Sequence, residues 1–445
     1  MNPSSVPLPE LPSALLVAVF CAVLILAAGC KNHDTPPAPI TPSLSPTEKL
    51  RDSPTVAASN AFGFDLLHRL DAEKTPGAGN VFVSPFSIMQ AMTMVTNGAG
   101  GETQTEMLHG LHLDGVALAA VNADQRKLNA ALSSTKADSE NSLIIANALW
   151  VNQGLNLAPE FVRIARDSYS APATNLNFRD ADGAANTINQ WVETNTHGKI
   201  KTLFSAEELA GPPPAEVVLA NAVYFKAAWY SPFDRKDTAP KPLTLESGAK
   251  KTVPTMHKAN MQGYEEGVRY YKGDGFAMAS LAYDSETSHA SRSLILLLPD
   301  APNGVGKLLT DLTPENWIVW QKKLNPMVEM DLSLPRFTLE YEASLIPSLT
   351  QMGIHRAFVL TEADFTPMGL KNYCIGIIKH KTFLDVNEKG TEAAAVTGIA
   401  AAGGMPPPSE KVVFHVDHPF LCAIVDDTTG TILFLGVIRD PSAIN

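Results

Sequence analysis

A run of small side chains near the C-terminus constrains the fold of this chain more than any other feature. Residues 391–404 read TEAAAVTGIAAAGG, where Glu392 is the only charge and nearly every side chain is small. Such a run has too little apolar surface to hold a place in a core, so between two strand-like segments it is predicted to be a long exposed loop. It also lacks proline, so nothing prevents it from lying inside a β-sheet. The segment indicates a loop that can be cut and can also become a strand; a flexible Ala/Gly linker is the alternative.

The first thirty residues are typical of an export signal. Residues 14–28 (ALLVAVFCAVLILAA) carry no charge. As a helix they would span about 22 Å, which is less than the ~30 Å hydrocarbon core of a membrane. That length fits the hydrophobic part of a signal peptide better than it fits a membrane span. We therefore expect the protein to be exported.

The end of this run indicates how the exported protein is held. Ala27-Ala28-Gly29-Cys30 is similar to a bacterial lipobox, in which cleavage after Gly29 leaves Cys30 to carry a lipid. Two features depart from that pattern, because no Lys or Arg precedes the run and Ala27 stands where Leu is usual. We expect a cell-envelope lipoprotein anchored to the membrane through Cys30. An ordinary signal peptide with secretion to the extracellular space, or a retained anchor, is the alternative.

Residues 31–55 are predicted to be an unfolded tether. They are rich in Pro, Ser and Thr and lack apolar periodicity, so they cannot bury enough surface to offset the entropy of ordering. From about Val56 the apolar pattern is that of a globular protein and continues without a second linker. We therefore predict a signal peptide at residues 1–29, a tether at 30–55 that begins with the lipidated Cys30, and one folded domain at 56–445.

The composition excludes three classes of protein. The 34 Lys and Arg against 46 Asp and Glu give a formal net charge of −12, whereas a nucleic-acid-binding protein needs clustered basic residues to neutralise phosphates. Four cysteines are too few for a disulfide-stapled scaffold. Hydrophobic residues make up 45% of the chain, which is enough for a core and excludes intrinsic disorder.

The periodicity of the apolar residues predicts a mixed fold. Phe62, Leu66 and Leu70 are spaced by four, which predicts an amphipathic helix over 58–70. Ser84-Pro85 is a typical helix start and predicts a second helix over 86–97. A short apolar run occupies 80–83, buried strands are predicted at 143–150, 217–225 and 294–298, and a half-exposed strand is predicted at 328–337. Helices dominate the N-terminal half and strands the C-terminal half, which predicts an α+β fold around large sheets.

The motifs of common enzyme classes are missing from the sequence. It has no His-Glu-x-x-His zinc motif, no Gly-x-Ser-x-Gly elbow and no phosphate-binding loop. Cys374 and Cys422 have no histidine at metal-ligand spacing, since His380 follows Cys374 by six residues. We therefore predict no enzyme, no metal site and no cofactor. A hydrolase assembled from distant Ser, His and Asp residues is the alternative that these motifs do not test.

Many sequence motifs occur in one order between about residues 58 and 441, and together they resemble those of one known family. The segment from Glu388 to Ala395 (EKGTEAAA) resembles the hinge of inhibitory serpins, and residues 414–421 (FHVDHPFL) resemble the family's C-terminal signature. Further matches are NVFVSPFSIMQAMTMVTNGA at 80–99, NTHGKI at 195–200, NAVYFK at 221–226 with Trp229, LPRF at 334–337, ADF at 363–365 and GTILFLG at 430–436.

This resemblance implies a fold and a mechanism. The fold has three β-sheets, eight or nine helices and an exposed reactive loop near the C-terminus. Inhibitory serpins are suicide substrates, in which a serine protease forms an acyl-enzyme with the loop. The cut loop then enters the large sheet as a new central strand before the acyl bond is hydrolysed, so the partner is a protease held in a covalent acyl complex.

The resemblance also implies roles for particular residues. The hinge comprises Glu388, Gly390, Thr391, Glu392, Ala393, Ala394 and Ala395. Hydrogen bonds that gate opening of the sheet belong to Ser84, Ser87, Asn221 and His380, and Trp229 lies near the insertion point. Family spacing puts the reactive bond at Gly404-Met405. Proline at 406 is unfavourable for cleavage there, so Ala402-Gly403 is the alternative.

Small residues around the reactive bond predict the kind of protease. Residues 400–405 contain no Arg or Lys, so an elastase- or subtilisin-like target is expected and a trypsin-like one is not. Val396 is large for the hinge and the loop is long, which leaves a non-inhibitory serpin, acting as a binding or chaperone-like module, as the alternative. We expect a monomer that binds no nucleic acid and needs no polyanion.

Overall fold

The computed structural model describes residues 48–73, 79–132, 141–211, 214–284, 292–391 and 410–443. The α-helices within these ranges are α1 Pro54–Ala72, α2 Pro85–Thr96, α3 Gly101–Gly110, α4 Leu118–Leu132, α5 Pro159–Tyr169, α6 Ala181–Asn195, α7 Ala206–Ala210, α8 Gly263–Glu266, α9 Val305–Asp311, α10 Pro314–Lys323 and α11 Ile346–Gln351. Among these eleven, α7, α8 and α11 have only four to six residues. The other eight agree with the number that the resemblance implies.

The strands of the described residues form three sheets. They are β1 Val81–Val83, β2 Ser142–Asn152, β3 Ala173–Leu176, β4 Val217–Ala228, β5 Ala239–Thr244, β6 Lys250–Gln262, β7 Val268–Lys272, β8 Phe276–Ala282, β9 Arg292–Pro299, β10 Val328–Pro335, β11 Phe337–Ser344, β12 Ile377–Asn387, β13 Gly390–Thr391, β14 Glu410–His415, β15 Phe420–Asp426 and β16 Ile432–Ile438. Sheet A has the order β11-β12-β13-β4-β2-β3, sheet B β1-β16-β15-β9-β8-β7, and sheet C β14-β10-β6-β5. The predicted α+β architecture with three sheets is confirmed.

The N-terminal helix begins earlier than the sequence predicted. Ser53 caps α1 by accepting a hydrogen bond from the Thr55 amide, and Pro54 occupies the first turn, where no amide hydrogen is needed. Leu50 is buried beside this start. Residues 48–55, predicted to end the tether, are therefore folded, because one apolar residue and one cap are enough to order them.

Helix α2 lies at the centre of the molecule. All twelve of its residues are buried, because it packs against β2 and β4 of sheet A and against β16 of sheet B. A helix enclosed on every side is apolar or hydrogen-bonded all round instead of amphipathic. Its N-terminus carries Ser84 and Ser87 to the middle of sheet A.

The strand predicted over 328–337 is two strands in different sheets. β10 belongs to sheet C and β11 to sheet A, and Arg336 lies between them with its amide donating to the Pro254 carbonyl at 2.8 Å. The alternation of apolar and polar residues continues through the junction, so periodicity alone did not reveal the change of sheet.

Two sequence-based expectations fall partly or wholly on other parts of the chain. Within the described ranges, no helix is long and apolar enough to cross a membrane. The apolar run at 14–28 and Cys30 lie outside those ranges, so the expectations of export and lipidation remain predictions.

Candidate functional site

A row of polar residues crosses the middle of sheet A. β12 and β4 run parallel there, with His380 opposite Asn221. β2 pairs antiparallel with β4 on the other side and places Asn147 opposite Asn221. The side chains of His380, Asn221 and Asn147 are all buried. Three neighbouring strands therefore present polar groups to the N-terminus of α2.

Hydrogen bonds fix the direction of every donor in this row. The Ser84 amide donates to His380 Nε2 at 3.1 Å, so the imidazole proton is on Nδ1 and is donated to Asn221 Oδ1. Asn221 Nδ2 then donates to Ser87 Oγ and to Asn147 Oδ1. These bonds tie β12, β4 and β2 to one helix end, so the central strands cannot separate without breaking them.

The geometry of Ser84 and His380 does not form a catalytic pair. Ser84 Oγ donates to the Leu433 carbonyl at 2.6 Å instead of contacting the imidazole. Burial lowers the pKa of His380 to about 3, which keeps the ring neutral at physiological pH. The ring is fully buried, so no substrate reaches it.

Asn147 is a member of this network that the sequence analysis did not identify. A signal was present, because the triplet Ala-Asn-Ala occurs at 146–148 and again at 220–222, each within a predicted buried strand. A polar residue at the same place in two apolar strands indicates a cross-strand pair. The observed register sets Asn147 against Asn221 and the flanking alanines against one another.

The first residues of the predicted hinge form β13 at the end of sheet A where β12 and β4 finish, which we call the upper end. β12 and β4 are paired directly from Ile377–Val218 to Phe383–Tyr224. Above that point β13 lies between them, with Thr391 opposite Val386 on one side and Ala227 on the other. β13 is antiparallel to both neighbours, which is the orientation that a returning loop must have. β12 and β4 are thus hydrogen-bonded to each other at the centre of sheet A and separated by β13 at its upper end.

Only glycine fits at the base of the hinge. Gly390 has a φ of 149°, and a Cβ there would lie 2.1 Å from the Ala227 carbonyl oxygen and 2.7 Å from the Ala228 Cα. A side chain would therefore push β13 away from β4.

The aromatic residues Trp229 and Tyr283 contact the first residues of the predicted hinge and the residue before them. The Trp229 amide donates to the Lys389 carbonyl and its indole Nε1 to the Asn387 carbonyl, both at 2.9 Å. The indole stacks on Tyr283 with 4.6 Å between ring centroids, and the Tyr283 hydroxyl is 2.8 Å from Thr391 Oγ1. Burial raises the pKa of Tyr283 well above its ordinary value. Trp229 therefore contacts the residues just before β13, and Tyr283 is a contact that the sequence did not predict.

The carboxylate of Glu388 anchors the turn that begins the predicted hinge. It is buried, and Thr238 Oγ1 donates to Glu388 Oε1 at 2.8 Å. Arg336 Nε lies 3.6 Å from the other carboxylate oxygen, and the Phe233 amide donates to the Glu388 carbonyl at 2.9 Å. A buried carboxylate needs such partners. Its anchoring leaves Lys389 as the exposed residue of the turn.

The remaining predicted site residues lie outside the described ranges: Glu392, Ala393, Ala394, Ala395, Gly404, Met405 and Cys30. Of the two described cysteines, neither forms a disulfide. Cys422 is enclosed in β15, where burial raises the pKa of its thiol to about 12. Burial also raises the pKa of Cys374.

Comparisons with known proteins agree with this arrangement. The profile of the family described as serpin (serine protease inhibitor) matches residues 57–441. Human leukocyte elastase inhibitor is 35% identical over 394 residues, which cover 86% of this chain and 99% of that protein. An uncharacterized serpin-like protein of the archaeon Methanosarcina mazei is 28% identical over 439 residues, or 96% of this chain and 97% of its own.

A solved structure supports the same assignment. Human thyroxine-binding globulin complexed with thyroxine matches with a TM-score of 0.75 at 26% identity, covering 89% of this chain and 100% of that chain. The family profile, the relatives and the solved structure match nearly the same part of the chain. That part includes sheet A, in which β13 lies between β12 and β4. The chain belongs to the serpin family.

Proposed function

We propose that this chain is a suicide-substrate inhibitor of serine proteases. The protease serine attacks the carbonyl carbon of Gly404, an acyl ester forms, and the amine of Met405 leaves. The residues after Thr391 then enter sheet A between β12 and β4 before water hydrolyses the ester. Family membership supports protease inhibition in general and argues against catalysis by the chain itself.

The observation that carries this proposal is the position of β13 between β12 and β4. Chain association by strand addition is driven by backbone hydrogen bonds, and the first residue pairs of the new strand already exist. The parallel pairing of β12 with β4 below β13 is also the weaker kind of ladder. An inserted strand would replace it with two antiparallel ladders.

The register of β13 predicts where each inserted residue would lie. Continued downwards from Thr391, it sets Ala395 between Thr382 and Val223, and Thr397 between His380 and Asn221. Residues at odd positions would then face α2, because Thr391, His380 and Asn221 all point to that side. Thr397 would thus bring a hydroxyl to the polar row. Insertion would separate His380 from Asn221 there and break the hydrogen bond between them.

Val396 falls on the opposite face in this register. It would lie between Lys381 and Ala222, on the face where the Lys381 ammonium donates to the Thr202 carbonyl at 3.0 Å. A branched apolar side chain on that face does not enter the close-packed side next to α2. The register therefore predicts which face Val396 joins, beside the fully buried Ala222.

We propose an elastase- or subtilisin-like target. Support comes from the small residues at 400–405 and from the similarity to leukocyte elastase inhibitor. Strand geometry of about 3.3 Å per residue carries a protease attached at Gly404 roughly 45 Å from Thr391. The target is then displaced by about the length of the sheet.

The test incubates the purified chain with elastase, subtilisin and trypsin. We expect complexes with elastase or subtilisin that survive SDS, and a released peptide that begins at Met405 by mass spectrometry. A peptide that begins at Gly403 would move the reactive bond to Ala402-Gly403. An SDS-stable complex with trypsin alone would contradict the proposed target, and complete cleavage without any complex would contradict the trapping mechanism.

A non-inhibitory carrier is the second candidate. Thyroxine-binding globulin is among the similar solved structures, and it binds a small ligand. A carrier would be cleaved without trapping its protease. Cleavage at Gly404-Met405 that raises the thermal stability but gives no complex would favour this function.

We also propose that the protein is an exported bacterial lipoprotein and a monomer, anchored at Cys30. The support is the apolar run at 14–28, its Ala-Ala-Gly-Cys ending and the Pro-rich segment that follows. Mass spectrometry of the membrane fraction of expressing bacteria should find an acylated N-terminal Cys30, and Cys30→Ala should abolish it. Release of unacylated protein into the medium by both forms would contradict the lipid anchor.

A further inference from the structure

Two histidines and an aspartate meet on one face of sheet C. They are His257 of β6, Asp331 of β10 and His415 of β14, and one potential ligand atom of each lies within 4.8 Å of the other two. Asp331 Oδ1 is 3.0 Å from His415 Nε2 and 3.5 Å from His257 Nδ1. The two imidazole centroids are 6.2 Å apart. All three side chains are partly exposed, so solvent ions reach them.

The sheet register is responsible for this cluster. Ser333 has His257 opposite it on one side and His415 opposite it on the other. Asp331 precedes Ser333 by two residues and so shares its face. The register of β6 shifts between Met330 and Leu332, and such a bulge turns side chains toward one another. Three consecutive strands therefore supply three ligands to one point.

We propose that His257, Asp331 and His415 bind one divalent transition metal ion of the Zn²⁺ class. Imidazole nitrogens and a carboxylate oxygen are typical ligands of Zn²⁺, with bonds of about 2.0–2.2 Å. Tetrahedral coordination at those lengths sets ligand atoms about 3.3–3.6 Å apart, close to the 3.0 Å and 3.5 Å distances that Asp331 already makes. All three ligand atoms already lie within 4.8 Å of one another, so small movements of the side chains would complete the coordination.

The ligand chemistry also excludes other ions. Ca²⁺ and Mg²⁺ prefer sets of oxygen ligands, whereas two of the three ligands here are nitrogens. His415 would coordinate through Nε2 and His257 through Nδ1. Lys241 is the nearest cation that the contacts show, and its ammonium is held 3.0 Å from Ser333 Oγ. The same hydroxyl lies 3.2 Å from His257 Nδ1. On metal binding, His257 Nδ1 would exchange this contact for the ion, and water would take the fourth position.

The position of the site gives the ion a structural effect. β14 is an edge strand whose partner in sheet C is β10, and it follows directly after the segment 392–409. An ion held by His415, Asp331 and His257 would link this edge strand to the two strands beside it. We expect bound metal to hold β14 in the sheet. The site rests on sheet C alone, so it stands whether or not the chain inhibits a protease.

The experiment titrates the metal-free full chain with Co²⁺ and Zn²⁺. Tetrahedral Co²⁺ gives visible absorption that reports on coordination, and Zn²⁺ affinity follows by calorimetry. We expect one site, and losses of at least about tenfold in affinity for His257→Gln, Asp331→Asn and His415→Gln, because even second-sphere changes cost that much. His109→Gln is the matched control. His109 is an exposed histidine whose Nδ1 lies 2.9 Å from the Asp114 carboxylate, and no second histidine takes part in this ion pair.

A second measurement guards against loss of folding in a variant. The melting temperature of each metal-free variant is compared with that of the wild type, and the rise on adding Zn²⁺ is then recorded. A rise in wild type and in His109→Gln, but not in the three site variants, supports the proposal. Equal rises in all five proteins, or no saturable binding by the wild type, overturn it and leave the cluster as a hydrogen-bonded group only.

Discussion

At the level of single residues, the centre of sheet A depends on one uncharged imidazole. His380 accepts from the Ser84 amide and donates to Asn221. A second proton would turn Nε2 into a donor facing another donor. Burial therefore does more than lower the pKa of His380, because the neutral form is also the only one that satisfies both partners.

This neutrality predicts a pH dependence of stability. The imidazole takes up a proton near pH 6.5 in the unfolded chain but only near pH 3 in the folded one. Between those values the unfolded state binds more protons, so folded stability falls with decreasing pH by up to about 1.4 kcal/mol per pH unit. We expect the urea midpoint to fall from pH 7.5 to 5.0, and to fall less in His380→Gln. The exposed-histidine variant His109→Gln should keep the wild-type slope; equal slopes in all three proteins would contradict this role of His380.

In the proposed insertion, Thr397 is the residue that the register of β13 would bring to the same row. Its hydroxyl can accept from His380 and donate to Asn221 once the strand separates them. We predict that Thr397→Val leaves the intact protein unchanged but lowers the stability of the cleaved form by about 1–3 kcal/mol, because buried polar groups lose a partner. Thr397→Ser should restore it, and Val396→Ala on the opposite face should have little effect. Melting temperatures of intact and cleaved samples measure the difference, and an equal loss in both forms would show that the register is wrong.

At the level of elements, the proposed insertion begins at the two-residue strand β13. Thr391 is fully buried between Val386 and Ala227, with its hydroxyl on Tyr283. A charge at this position has no partner in the sheet and carries a desolvation cost of several kcal/mol. Entry would then be slower than hydrolysis of the acyl bond.

We therefore predict that Thr391→Arg converts the chain from an inhibitor into a substrate. Cleavage at the reactive bond should continue, while the SDS-stable complex falls at least about tenfold, as a barrier increase of 1.4 kcal/mol implies. Lys389→Ala is the matched control, since Lys389 is exposed two residues earlier, and it should keep the complex. Persistent trapping by Thr391→Arg would mean that insertion does not begin at β13.

The sequence predicted helices and strands well where the burial of one face, or of the whole segment, produced a clear apolar pattern. The strands at 143–150, 217–225 and 294–298 and the helix over 58–70 are all present, each slightly longer than predicted. The sequence did not predict that β10 and β11 belong to different sheets, because the alternation of apolar and polar residues continues through Arg336 between them. The metal-ligating candidates were missed for a related reason, since His257, Asp331 and His415 become neighbours only through strand register.

At the level of the whole molecule, the intact loop is held at both ends. It leaves sheet A at β13 and joins sheet C at β14. We expect that residues 392–400 can pair along β12 and β4 only after one of these ends is released, because the loop is otherwise attached to both sheets. The intact fold therefore keeps a parallel pair in the centre of sheet A where two antiparallel ladders could form.

Cutting the loop should release this constraint, so we predict that the cleaved chain melts well above the intact one. A strand over 392–400 adds roughly ten backbone hydrogen bonds at about 1 kcal/mol each. For a domain of this size the melting temperature should rise on the order of 10–20 °C. Calorimetry of intact and cleaved samples measures the rise, and cleaved Thr391→Arg is the control that should lack it. If wild type and Thr391→Arg rise equally, loss of the loop connection alone stabilises the fold; if neither rises, sheet A does not accept the strand and trapping has no source of energy.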